Sequence, residues 1–404
     1  MSAAATPDSQ APQASPAEVT IVAHDIGPVG GMERQLVQLI SGLRRLGHPV
    51  TVVGRVCELP AGVEVSFHRV RGPGRPFLIA YPWFLLAGSA VVRRRRRGIV
   101  QATGAIVLNQ VDAIAVHYCH QSGVATPARA TPLTRIYIAA VAALNNVSER
   151  FCYGIQRTAT FVCVSDGVAD EIRRHFPGAA ERVMTIHNGV DTEAFAPGSR
   201  AQEAQALRER LGIASGRLTA AFVGSEWERK GLEPAIRALA RAPEWDLIVA
   251  GGGDRERYER LTGELGVAGA VHWLGVTRDV PLVLAAADAL IFPSAYEAFP
   301  LVALEAAASG LAILATPVNG VRELIADGES GFLISPEPQT IAARLQELAG
   351  DPGLRARMGQ AARAAVLAFS WERMVRSHHE LYQRLAARAR PAGAPRARRW
   401  RPGR

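Results

Sequence analysis

The sequence predicts an α/β protein built from two doubly wound, parallel-sheet domains that face one another across a cleft. Three observations carry that expectation. Short β-branched runs alternate with segments of helical apolar period, the pattern of parallel strands joined by right-handed crossovers. The series breaks at a polar stretch near the middle of the chain and then starts afresh. The 404 residues, 48% of them hydrophobic, also supply enough apolar side chains for two cores of ordinary size.

The start, "MSAAATPDSQAPQASPAE", is small, polar and Pro-rich and lacks the basic and apolar regions of a signal peptide, so residues 1–17 read as a disordered segment. An N-terminal domain is expected over 18–190. It opens with "EVTIVAHDIGPVGGMERQLVQLISGLRRLGHPVTVVG": a β-branched run, a turn at Gly27 to Gly31, a helical period at Leu36, Leu39, Ile40 and Leu43, and a second β-branched run. "PFLIAYPWFLLAGSAVV", residues 76–92, carries no charge and is followed at once by Arg93 to Arg97. It suits a core helix or docking at a membrane face through Phe77, Tyr81, Trp83 and Phe84. As a span it is short and interrupted by Pro82 and Gly88. "AIAVHY" and "TFVCVS" read as further strands, with "GVADEIRRHF" as the helix after the second.

The chain turns polar and Pro/Gly-containing through "HNGVDTEAFAPGSRAQEAQ", and a linker is placed at 191–205. A C-terminal domain follows over 206–369, with "RLTAAFVGS", "WDLIVAGGG", "AVHWLG", "ALIFPS", "LAILAT" and "GFLI" as successive strands. The amphipathic "SWERMVRSHHELYQRLAARA" makes 370–390 a helix that either closes the second domain or crosses back to the first. Residues 391–404 form a basic, disordered tail.

The net charge of +9 and the pI near 10.0 raise nucleic acid or an anionic membrane as partners. Location decides between them. Thirteen of the positive charges are Arg93 to Arg97 and eight arginines from Arg384 to Arg404, so the rest of the chain is mildly acidic, at nine less thirteen, or −4. No specific nucleic-acid partner is expected; an anionic membrane surface is the functional use that fits a basic run and a tail. Cys57, Cys119, Cys152 and Cys163 lack the short paired spacings of zinc or redox sites, which fits a reducing, cytoplasmic setting and no bound metal.

Two doubly wound domains bring the C-terminal ends of their strands to one cleft, so ligand chemistry is expected there. Gly30 and Gly31 sit where the first strand turns into the first helix, a place where a phosphate can approach bare N–H groups. Arg229 and Lys230 stand between a strand and a helix; two cations at a helix N-terminus are unfavourable unless an anion, such as a diphosphate, lies between. Glu297 and Glu305 in "YEAFPLVALEAAASG" lie eight positions apart, the first in a loop and the second inside a helix that begins at Pro300 and ends by Gly310. If wholly helical, that spacing is about 12 Å, longer than the roughly 5–9.5 Å between the acids of a glycosidase. The pair instead fits hydroxyls at two ends of one elongated ligand with a phosphate between them, the layout of a nucleotide sugar.

From these residues the chain resembles the retaining glycosyltransferases of family 4 (glycosyl transferases group 1), which have the GT-B fold of two facing Rossmann-like domains. "EAFPLVALEAAASGLAILATPVNGVRELIADGESGFLI" is similar to that family's donor-site signature, and "RKG" at 229–231, "HNGVD" at 187–191 and "GGME" at 30–33 fall in matching order. The resemblance implies that Glu297 contacts donor sugar hydroxyls and Glu305 the nucleotide ribose. It implies that Arg229 and Lys230 hold the diphosphate, that Gly30 and Gly31 form the loop over it, and that the backbone of Phe299, Pro300, Leu301 and Val302 approaches sugar and phosphate. Gly224-Ser225 stands where many members have Gly-Arg, Pro300 where Gly is frequent, and Asn319-Gly320 where a Gly pair is usual. Family members often place a histidine near the reacting sugar at a first-domain strand end; His117 and His120 are both candidates.

The expected activity is retaining transfer of a sugar from a nucleoside-diphosphate sugar, the co-substrate, to a hydroxyl of a glycan or lipid-linked acceptor, with no obligatory metal or cofactor. A nucleotide-sugar epimerase of the same architecture is the alternative enzyme. A membrane or nucleic-acid binding protein using the arginine tail is the alternative without catalysis.

Overall fold

The computed structural model describes residues 16–28, 30–123 and 131–389. The basic tail and all but the end of the segment read as disordered lie outside the described residues. In chain order the first half contributes β1 (Val19–Val22), the two-residue β2 (Asp25–Ile26), β3 (Val50–Gly54), the two-residue β4 (Val56–Cys57), β5 (Ser66–Arg69), β6 (Ile99–Thr103), β7 (Ala113–Val116), β8 (Thr160–Cys163) and β9 (Val183–Thr185). The second half contributes β10 (Leu218–Val223), β11 (Trp245–Ala250), β12 (Val271–Gly275), β13 (Ala289–Phe292), β14 (Ala312–Ala315) and β15 (Phe332–Leu333).

Seven strands form one sheet in the order β5-β3-β1-β6-β7-β8-β9 and six form another in the order β12-β11-β10-β13-β14-β15, while β2 and β4 pair beside the first. Every strand pairing among the described residues is parallel, as in Val19 against Val50 and Leu218 against Trp245. Burial on both faces explains the largely apolar sequences of β1 (VTIV), β3 (VTVVG), β11 (WDLIVA) and β13 (ALIF). In both sheets the order reverses beside the first strand, between β1 and β6 and between β10 and β13. Loops leaving the strands at such a switch point open a crevice at their carboxyl ends.

The helix Trp371–Ala389 settles the alternative left open by its pattern: it crosses back to the first domain. Its Met374, Val375, Leu381, Tyr382 and Leu385 join the core built on Val19, Ile21, Leu36, Leu39 and Ile40. A Cβ on Gly42 of the first helix would stand 2.4 Å from Val375, so the absence of a side chain there lets the two helices meet. Tyr382 donates to Gln101 of β6 at 2.9 Å, burying the phenol with a partner.

The uncharged segment forms the helix Phe77–Arg95, with Ala80, Tyr81, Phe84, Gly88 and Val92 buried as a stripe at near-regular fourfold spacing. Ile79, Trp83 and Leu86 of the same helix are more than half exposed. No helix among the described residues is long and apolar enough to cross a membrane. The stretch placed as a linker contains the start of the helix Ala201–Arg210.

Candidate active site

The second domain builds its half of the cleft at the β10/β13 switch point. After β10 the chain passes Gly224 and turns through Glu226 in the left-handed region (φ 58°) into the short helix Trp227–Lys230. Gly224 has φ 142°, and a Cβ there would stand 2.7 Å from both Cδ and Cε of Lys230. Only glycine lets the lysine stem lie across this turn. The ammonium then reaches Glu297 Oε1 at 2.9 Å, and Arg229 donates to the same oxygen at 3.1 Å and to the Tyr296 carbonyl at 2.5 Å. Ser294 Oγ donates to that oxygen at 3.0 Å. The two cations and the first acid of the sequence pattern therefore share one cluster, spanning the loops after β10 and β13.

Pro300, extended at φ −74° and ψ 109°, precedes the helix Leu301–Ala308, and all eight helical residues are buried. The first N–H groups of such a helix have no intrahelical acceptor and carry the positive end of its dipole. Ser309 and Gly310 (φ 71°) end it. Glu305 lies inside, 4% exposed. Burial pushes its carboxyl above the usual range, against the pull of Arg34 and Lys230. Phe299 turns its ring into the domain junction, 5.4 Å from His187 and 5.9 Å from Phe369.

The first domain supplies the opposing wall. Gly30 (φ 93°) caps the helix Gly31–Arg45, and a Cβ on Gly31 would stand 3.7 Å from Leu301 Cδ1. The glycine turn thus rests against the start of the Leu301–Ala308 helix. One turn on, Arg34 donates to Glu305 Oε1 at 2.8 Å across the cleft. His117 and His120 line one cavity of about 180 Å³ with His24, Tyr81 and Glu149. His117 contacts Gln35 Oε1 at 3.3 Å, and burial lowers its pKa to about 4, so its ring is neutral. Glu149, 2% exposed, faces His120 Nδ1 at 2.7 Å and accepts the backbone N–H of His120. Tyr118, between the two histidines, packs on Tyr296 of the second domain at 4.6 Å, which brings this cavity beside the loop carrying Glu297.

The structure adds residues that the sequence reading missed. Arg34 is a cation in the first turn of a helix after a glycine pair, so the dipole argument that singled out Arg229 and Lys230 applied to it equally. Glu171 accepts from Asn319 Nδ2 at 2.8 Å and from Tyr296 Oη at 3.1 Å, which gives a cross-domain partner to the asparagine that replaces a family glycine. Glu323 accepts the backbone N–H groups of Asp166 at 3.0 Å and Gly167 at 3.4 Å and pairs with His187 at 2.6 Å. Asp166, His187 and Glu323 each bring a potential metal-ligand atom within 4.8 Å of the others. Glu323 already has these protein donors, and its position at the N-terminus of the helix Asp166–His175 makes it a cap supplied by the other domain.

Two facing parallel-sheet domains with a cleft at their strand ends make this the GT-B fold. Residues 29–194 match the family model described as Glycosyltransferase Family 4, and residues 203–365 match that described as Glycosyl transferases group 1. The chain belongs to this family, the group 1, family 4 glycosyltransferases. A D-inositol 3-phosphate glycosyltransferase of Streptomyces avermitilis is 33% identical over 231 residues, which are 53% of this chain and 49% of that protein. The alignment thus spans about half the length of this relative. An uncharacterized glycosyltransferase of Methanocaldococcus jannaschii is 27% identical over 381 residues, covering 88% of this chain and 94% of the relative. The crystal structure of WaaG, a glycosyltransferase involved in lipopolysaccharide biosynthesis, superimposes with a TM-score of 0.74 at 22% identity, covering 90% of this chain and 99% of that one. That likeness is one of fold.

Proposed function

We propose that this chain transfers a sugar from a nucleoside-diphosphate sugar to an acceptor hydroxyl with retention at the anomeric carbon. The observation that carries the reading is the convergence of Arg229 and Lys230 on one oxygen of Glu297 beside the start of the Leu301–Ala308 helix. A diphosphate at that helix N-terminus meets free N–H groups and two cations, which stabilise the charge that grows on the leaving group. Glu297 Oε2, the oxygen without a protein donor among these contacts, takes sugar hydroxyls. Glu305 keeps Oε1 on Arg34 and offers Oε2 to the ribose.

With retention, the acceptor oxygen attacks from the leaving-group face. The new C–O bond forms as the bond to the diphosphate breaks, and a phosphate oxygen takes the acceptor proton. No step in this scheme requires a metal. Of the two candidate histidines, His117 offers a neutral ring and His120 a ring oriented by Glu149 at the wall of the cavity beside Glu297.

The acceptor is proposed as a glycan or lipid-linked molecule presented at an anionic bilayer. Ile79, Trp83 and Leu86 are exposed on the helix whose last turn carries the exposed Arg93 to Arg95, with Arg96 and Arg97 following it, so apolar insertion and basic attraction come from one segment. Incubation with labelled nucleotide sugars tests the reading: release of nucleoside diphosphate that depends on acceptor supports it, whereas an isomerised donor formed without acceptor gives the epimerase.

A further inference from the structure

Gln35, on the helix Gly31–Arg45, is 3% exposed and reaches in two directions. Its Oε1 lies 3.3 Å from His117 Nε2, and its Nε2 donates to Met374 Sδ at 3.7 Å. A thioether sulfur accepts weakly and donates nothing, so the amide nitrogen faces Met374 and the amide oxygen faces the imidazole. An amide oxygen only accepts, so the ring proton of His117 sits on Nε2 and the lone pair on Nδ1. The Ala115 carbonyl also lies near the ring and favours its protonation, but Nδ1 makes no hydrogen bond to it. The Gln35 contact therefore decides the tautomer.

The lone pair it leaves is unused by the protein. His117 Nδ1 is buried and has no hydrogen-bond partner among the described residues. The cavity of about 180 Å³ that His117 lines holds other polar atoms in the same condition, Thr103 Oγ1 and both ring nitrogens of His24. Buried polar atoms without partners are costly, and a hydroxyl satisfies an imidazole lone pair by donating to it. Tyr118, packed on Tyr296 at 4.6 Å, sets this cavity beside the loop of Glu297.

The amide is anchored from the far side of the domain. Met374, 2% exposed, belongs to the crossover helix Trp371–Ala389, and its carbonyl accepts from His378 Nδ1 at 2.9 Å. Burial, and then the proximity of His378, lower the pKa of His117 to about 4, so the ring is neutral and a single tautomer has meaning at neutral pH.

We propose that Gln35 is a positioning residue for the transfer: anchored by Met374 of the crossover helix, it confines the His117 proton to Nε2 and presents Nδ1 as an acceptor to the sugar hydroxyls of the substrate. The proposal rests on the glycosyl-transfer reading and adds to its site a residue that does not itself touch substrate.

Nitrogen NMR of the full chain carrying isotope-labelled histidine tests it, with the His117 signals assigned by their absence from His117→Asn. The wild type should show a neutral ring protonated on Nε2. A nucleoside-diphosphate sugar should shift the Nδ1 signal, and nucleoside diphosphate alone should not. Gln35→Leu should lose the single tautomer and lower kcat about tenfold or more, the scale of one hydrogen bond. Its affinity for nucleoside diphosphate should stay within about threefold, because the cations that hold phosphate are untouched. Met374→Leu keeps the volume but removes the sulfur, and should change the tautomer to a smaller extent. A wild-type ring protonated on Nδ1, an Nδ1 signal unmoved by bound nucleotide sugar, or an unchanged tautomer in either variant overturns the proposal. If the wild type binds neither nucleoside diphosphate nor nucleotide sugar, the transfer reading fails, while the tautomer in wild type and Gln35→Leu still decides whether Gln35 sets the ring.

Discussion

In the proposed reading Glu297 and Glu305 divide the donor between them, and their different protein contacts predict different consequences for removing each charge. Glu297 shares one oxygen with Lys230, Arg229 and Ser294. Glu297→Gln is expected to lower kcat/KM for transfer about 10- to 100-fold, the worth of a hydrogen bond to a charged group. Nucleoside diphosphate affinity should stay within about threefold in this variant, since charge-assisted contacts from Arg229 and Lys230 to phosphate remain. Glu305→Gln should instead weaken nucleoside diphosphate binding about tenfold, again the scale of one charged hydrogen bond. Titration calorimetry with and without the sugar moiety separates the two, and identical losses in both variants contradict the division.

At the scale of elements, the helix Phe77–Arg95 carries the membrane part of the account. Replacing Arg93, Arg94 and Arg95 by Gln should reduce retention on vesicles containing anionic lipid about tenfold or more, at roughly 1 kcal/mol per basic residue. Binding to neutral vesicles should be weak for both proteins, and cosedimentation measures both. The elements most legible in the sequence were those buried on both faces. β1, β3, β10, β11, β13 and β14 announce themselves as apolar runs because water reaches neither side. The exposed edge strand Ser66–Arg69 and the three-residue edge strand Val183–Thr185 carry no such pattern and were not anticipated. In the site, Arg229 and Lys230 followed from helix-dipole reasoning on local sequence and Glu297 from its spacing to Glu305; that the three meet in one cluster is visible only in the structure. Arg34, Glu149, Glu171 and Glu323 act through partners 271, 29, 148 and 157 positions away. No local pattern encodes pairings that only the docking of helices or domains creates.

The whole molecule is joined across its cleft by Arg34 with Glu305, Glu171 with Asn319 and Tyr296, and Glu323 with the Asp166–His175 helix. Arg34→Ala should widen the distribution of domain separations, seen as a larger radius of gyration by solution scattering, and should raise the donor KM. An unchanged scattering profile contradicts a joining role for this pair. Stability should also fall with mild acid. Burial lowers the pKa of His24, His117 and His378 to about 4. Unfolded, each titrates near 6.5. Because the unfolded chain binds the extra protons, stability from these groups is fully present above about pH 6.5 and is lost as pH falls toward 4, on the order of 1 kcal/mol per histidine per pH unit. Melting temperatures between pH 7 and 5 should decline, and His378→Asn should flatten the slope.

The central claim is transfer of a sugar from a nucleoside diphosphate with retention, and NMR of the reaction products tests it most directly. The enzyme is incubated with a set of α-linked nucleoside-diphosphate sugars and a panel of glycan and lipid-linked acceptors, and the anomeric proton of the product is followed. Nucleoside diphosphate should be released only when acceptor is present, together with an α-linked product. A β-linked product, or an isomerised donor formed without acceptor, would contradict it.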